Sequence, residues 1–205
     1  MLRSQLYWLW VASAVIVLVA ATAQSASAAD KQIRPFIGAT FAGDTSFIDL
    51  DRVGKRANVV IGVSAVTLGE VFGVDIDLAD APGYFEGGNE HLVLSSRVTT
   101  LTGNVVIAAP RRLTEYVLRP YFVGGAGLMR VYKEDYFGVF TVDRILPAFD
   151  LGAGVLMFFT NTIGVSWEVR RFQNFYRESN EPGTTLGGQE QLSFWRAGMS
   201  LTIRY

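Results

Sequence analysis

The strongest constraint on this chain is a period of two at its end. Counting back from Tyr205 in steps of two gives Ile203, Leu201, Met199, Ala197 and Trp195, all apolar. Between them lie Arg204, Thr202, Ser200, Gly198 and Arg196, with Phe194 the only large apolar member of that second set. Successive side chains of a strand point to opposite faces, so one face wants hydrocarbon and the other polar partners. A soluble sandwich strand also has a wet face and a dry one. An aromatic as the final residue suits the interface end of a membrane strand instead. The stretch reads as the closing strand of an outer-membrane barrel.

The start of the chain agrees. Arg3 precedes an apolar run from Leu6 to Ala21, broken only by Ser13, and small residues then lead to Ala26-Ser27-Ala28-Ala29 before Asp30. This is the order of a secretory signal, with cleavage after Ala28 or Ala29. The expected division is a signal peptide at 1–28 and an outer-membrane β-barrel domain at 29–205. The competing reading is an uncleaved anchor, because the run is near the lower limit for a spanning helix. Every later apolar run is broken by Gly, Arg, Asp or Thr, so any further membrane contact falls to strands.

Once the signal is set aside, the length fits one domain, and no composition shift marks a linker. The sequence contains no cysteine, which argues against a small secreted domain stapled by disulfides. The formal net charge of −1 offers no long-range attraction for nucleic acid.

Segments of about ten residues recur along the mature chain, as tilted membrane strands require. Strands are expected near Arg34–Ala42, Asn58–Leu68, Val71–Leu78, within Leu92–Ala109, and over Tyr116–Tyr132, Phe149–Phe159, Ile163–Phe172 and the closing stretch. In the first, Pro35, Ile37, Ala39 and Phe41 oppose Arg34, Phe36, Gly38 and Thr40. In the third, Phe72, Val74, Ile76 and Leu78 oppose Gly73, Asp75 and Asp77. Serines and threonines blur the phase of the fourth. Long polar loops are expected at Gly43–Ala57, Ala79–Glu90 and Gln173–Glu190. Gly69-Glu70 and Thr160-Asn161 read as tight turns, and Pro110–Glu115 and Lys133–Asp135 as short connections.

The count is about eight strands, joined alternately by long loops and short turns, which is the rhythm of the smallest outer-membrane barrels. A lipocalin-type soluble barrel has the same count but a polar outside and an apolar cup. Here the apolar set is nearly unbroken, while the other set carries glycines and charges of both signs. Small residues and paired charges suit a narrow lumen. The fold class expected is an all-β, eight-stranded antiparallel up-and-down transmembrane barrel.

Four segments carry a family resemblance: Arg119–Val131 (RPYFVGGAGLMRV), Thr102–Pro110 (TGNVVIAAP), Gly152–Arg170 (GAGVLMFFTNTIGVSWEVR) and the strand ending in Tyr205. Together they resemble the outer-membrane β-barrel domain family, the small OmpA/OmpX/opacity-type barrels often labelled porin family. The resemblance spans essentially the whole mature chain and implies a Gram-negative outer membrane. It implies no single activity, since members serve as anchors, adhesins or immune-evasion proteins. No peptidoglycan-binding domain follows Tyr205, so cell-wall tethering is not carried over.

The residues offer no catalytic, cofactor-binding or metal site. His91 is the single histidine, in or beside a loop, and a His-Ser-acid set of the lipid A deacylase kind does not assemble around it. With one His and no Cys, metal-ligand spacing is absent. The Gly124-Gly125-Ala126-Gly127 run lies inside a strand, where it relieves crowding rather than cradling phosphate. Arg34, Arg119, Arg170, Arg196 and Arg204 are expected to face inward, balanced by Asp75, Asp77, Asp150 and Glu168. An eight-stranded interior is just wide enough for side chains to fill, so balanced charges favour a plugged lumen over a selective pore. Two functions follow: a structural or surface-interaction barrel, or a narrow porin-like or hydrophobic-solute transporter. The partners expected are outer-membrane lipids and lipopolysaccharide, the barrel-assembly machinery through the strand ending in Tyr205, and an extracellular ligand at the long loops.

Overall fold

The computed structural model describes residues 29–45, 57–84, 93–110, 114, 118–135, 141–175 and 192–205. Eight strands make up the described fold: β1 (Asp30–Thr45), β2 (Asn58–Leu68), β3 (Phe72–Pro82), β4 (Val93–Ala108), β5 (Arg119–Asp135), β6 (Thr141–Phe158), β7 (Ile163–Asn174) and β8 (Leu192–Arg204). Each pairs antiparallel with its neighbour in sequence, and β1 pairs with β8 to close the barrel. Closure leaves no sheet edge running the length of the wall, which is what a strand structure needs in lipid.

The alternation read from the sequence becomes an inside and an outside. On β8, Trp195, Met199, Leu201 and Ile203 are exposed, whereas Phe194, Arg196 and Thr202 are buried. On β3, Phe72, Val74, Ile76 and Leu78 face out, and Asp75 and Asp77 are buried. The blurred phase of β4 resolves the same way, with Leu101, Val105 and Ile107 outside and Thr100, Thr102, Asn104 and Val106 inside. Leu151 and Phe122 are each 67% exposed, and together with the rest these residues form a continuous apolar outer band. Water tolerates no apolar surface of that extent, whereas hydrocarbon requires it.

Several boundaries differ from the sequence expectation. Lys133–Asp135 is no connection: Lys133 pairs with Val142 and Glu134 with Thr141, extending β5 and β6 well past the expected ends. Ala79–Pro82 and Gln173–Asn174 likewise continue β3 and β7 instead of opening loops. β1 starts earlier, at Asp30, where it faces Leu68. The reason is common to all four: pairing continues wherever a partner strand is present, and local polarity does not stop it. Gly83, with φ of 70°, then turns the chain out of β3, and its N–H donates to the Ser96 carbonyl at 2.7 Å.

The short turns lie together at one end. Gly69 N–H donates to Phe72 O at 2.8 Å, closing β2 to β3. Between β6 and β7 the turn is longer than Thr160-Asn161. It spans residues 159–162, with Thr160 Oγ1 accepting from the backbone N–H of Ile163 at 2.9 Å. Gly43–Thr45, expected to open the first long loop, instead end β1, while residues 46–56, 85–90 and 176–190 of the three expected loops, and His91, lie outside the described residues.

Candidate functional site

The lumen is filled in three layers. Nearest the long connections, Val60, Tyr84, Val98, Met129, Val131, Phe172, Leu192 and Phe194 form an apolar cluster, with the Phe172 and Phe194 rings stacked at 5.1 Å. Nearest the short turns, Val66, Leu68, Val106, Ala108, Tyr121, Val123 and Leu156 form a second. Between the two lies a layer of charge. The apolar ends depart from the expected lumen of small and charged residues, which holds for the middle alone.

Arg170 stands at the centre of that layer, with its side chain 3% exposed. It donates from Nη2 to Asp75 Oδ2 at 2.7 Å, from Nη1 to Asp150 Oδ2 at 3.2 Å, and from Nε to Glu168 Oε1. Arg196 grips Asp77 with two parallel bonds of 2.8 and 2.9 Å. This fork geometry is the strongest form of an arginine–carboxylate pair. The Arg196 guanidinium also lies between the Phe36 and Phe172 rings, 4.6 and 4.8 Å from their centroids. Stacking of this kind favours Arg over Lys at a desolvated site.

Neutral groups complete the layer. Tyr121 donates its hydroxyl to Glu168 Oε2 at 2.9 Å, and Asn104 donates to Asp75 Oδ2 at 3.1 Å. The Ser166 and Ser200 hydroxyls bond across β7 and β8. Glycine supplies the room: a Cβ at Gly152 would sit 2.6 Å from Arg170 Cγ, and one at Gly125 would collide with Asn104 Oδ1. The cavity left beside Arg34, Ser64, Asp77, Tyr121, Glu168 and Arg196 measures about 20 Å³. That is space for about one water molecule.

The nine charged residues expected inside do not form one network. Arg170 and Arg196 join Asp75, Asp77, Asp150 and Glu168 as expected. Arg34 is buried but has no carboxylate partner among the described residues; it donates to Gln32 Oε1 and lies over the Tyr121 ring at 5.4 Å. Arg119 holds backbone instead, donating to the carbonyls of Ala109, Gly69 and Glu70 at 2.9, 3.0 and 2.6 Å. Arg204 pairs with Asp30 at 3.3 Å across the closing seam. Alternation gave the inward direction of each, while depth in the barrel decided its partner. Asn104 and Tyr121 are not singled out by sequence reasoning, although both have inward parity.

A closed eight-stranded wall with an apolar outside and an ion-paired polar middle defines a small transmembrane β-barrel. The outer membrane protein β-barrel domain model matches residues 13–194, and the chain belongs to that family. It is a protein of the outer membrane. Solved structures repeat the fold at low identity. Neisserial surface protein A (NspA) is similar at 10% identity with a TM-score of 0.60, covering 86% of this chain and 97% of its own. A major outer membrane protein from Thermus thermophilus is similar at 12% identity with a TM-score of 0.51, covering 87% and 100%. Comparison with curated protein sequences finds no match.

Proposed function

We propose that this protein is a sealed surface barrel: a non-conducting, non-catalytic scaffold that presents its outer loops to partners and its outer wall to outer-membrane lipids and lipopolysaccharide. The observation that carries the reading is the lumen, where Arg170 and Arg196 engage four carboxylates and the cavity beside them is about 20 Å³. A water-sized space admits no solute, and apolar layers on both sides keep the ion pairs dry. Export by a cleaved signal at 1–28 fits β1 opening at Asp30, one or two residues past the expected cleavage points. The barrel-assembly machinery is assigned the strand that ends beside Tyr205 as its handle.

The test is conductance of the refolded protein in planar bilayers. A sealed barrel gives no steady single-channel current. Reproducible, ion-selective currents from the unmutated protein would replace this reading with the transport one.

A further inference from the structure

The outer wall changes character along one line. About ten strand residues cross the apolar band of an outer membrane. Counted from the short-turn end, that distance reaches Asp80 on β3, Thr99 on β4 and Arg130 on β5. The register pairs Asp80 with Thr99 and Thr99 with Arg130, so the three form one row. Below it the outward residues are Leu78, Leu101 and Leu128, all exposed and apolar. The next row up holds Pro82, Arg97 and Tyr132. All of these two rows except Asp80 line, with Gly83 and Ser96, an open groove of about 620 Å³.

The opposite wall meets the same depth differently. There Trp195 pairs with Phe41 on one side and Arg171 on the other, and the Arg171 guanidinium lies 5.8 Å from the Trp195 ring. That is an aromatic girdle with Arg171 laid against a ring face.

We propose that the groove seats a phosphorylated headgroup of the outer leaflet, held between Arg97 and Arg130. The inference rests on the reading of the outer wall as a surface for outer-membrane lipid. Arg97 and Arg130 are diagonal neighbours on adjacent strands, about 7–8 Å apart at the backbone, a span that one phosphate bridges. Both have acidic neighbours: Arg130 bonds Asp143 at 2.9 and 2.7 Å, and Arg97 Nε lies 3.5 Å from Asp80, which also accepts from Thr99 Oγ1. These are exposed pairs, with Arg97 and Arg130 side chains 61% and 58% accessible, so they yield readily to a competing anion. Leu101 and Leu128, directly below, meet the acyl chains of a lipid whose headgroup sits in the groove.

The experiment uses the refolded mature chain in phosphatidylcholine nanodiscs carrying diphosphoryl lipid A, with native mass spectrometry counting the lipid retained. The wild type retains diphosphoryl lipid A and not its dephosphorylated form. Arg97→Gln with Arg130→Gln lowers retention by about tenfold or more, as the loss of charge-assisted contacts requires. Arg171→Gln on the opposite wall leaves it unchanged. Equal retention by the double variant, or an equal loss with Arg171→Gln, overturns the proposal. Binding of inorganic phosphate alone as tight as that of the lipid would make this a free-anion site and also overturn it. Should the double variant fail the heat-shift test for a folded barrel, each single variant is compared instead, with a several-fold loss expected. Conductance is blind to this outer groove, so failure of the lipid site and failure of the sealed lumen remain separately visible.

Discussion

Arginine meets aspartate both in the lumen and on the outer rim of this barrel, and those two settings are opposites. In the lumen, Arg170 and Asp75 are 3% and 1% exposed and 2.7 Å apart. On the outer rim, Arg130 and Asp143 are 58% and 44% exposed, also 2.7 Å apart. Distance therefore says nothing about which pair matters. The rim pair sits in a solvent-like dielectric and exchanges with water and salt. In the lumen, two guanidiniums and four carboxylates have been taken from water together, so removing any one leaves the others charged and without solvent.

The hardest test of that contrast is Arg170→Met. It strands Asp75, Asp150 and Glu168, and a broken buried pair costs roughly 3–5 kcal/mol. The variant should yield little or no heat-shifting barrel on refolding into detergent or lipid; wild-type yield and urea midpoint would erase the distinction between the two regions. Next comes a change on the other side of the same wall. Leu201→Arg puts a charge at mid-depth in hydrocarbon, for a loss of roughly 2–4 kcal/mol, and Leu201→Asn should lose more folded barrel than Ser200→Asn. Equal losses from the two Asn variants would place the register of β8 one residue away.

Arg34→Met sharpens the comparison from inside. Arg34 is buried like Arg170 but relies on Gln32 and the Tyr121 ring, so no carboxylate is abandoned when it goes. Replacement by an apolar side chain of similar length should leave urea stability within about 1 kcal/mol of wild type. A loss as large as that of Arg170→Met would mean burial alone, not partnership, sets the effect. The smallest change is Asp143→Asn on the rim, where denaturant midpoint and heat shift should both stay at wild-type values, at low and high salt alike.

Much of this was legible because β-structure writes its two faces into the sequence at period two. β2 is bounded at Asn58 and Leu68 from pattern alone, and the inward direction of Arg170, Arg196, Asp75 and Asp77 follows from parity. Parity is a local property. Who meets whom across the lumen depends on shear and tilt, which link Asp77 to Arg196 over 119 residues of sequence. No local pattern carries that, so parity groups Arg204 and Arg119 with the central carboxylates, although their bonds go to Asp30 and to backbone carbonyls. The strand ends failed for a related reason: Lys133 and Glu134 read as a loop by composition, but Val142 and Thr141 were there to pair with them.

On the proposed reading of a sealed barrel, the layered filling of the lumen has one more consequence. Three seals in line behave like resistors in series: the flow is set by the tightest, and loosening one leaves the other two in place. Glu168→Ala would disturb the middle seal, yet Met129, Phe172 and Phe194 would still close one mouth, and Val66, Leu68 and Leu156 the other. An engineer wanting a channel would have to cut at three heights at once. Chance substitution, arriving one residue at a time, can weaken this wall long before it makes it leak.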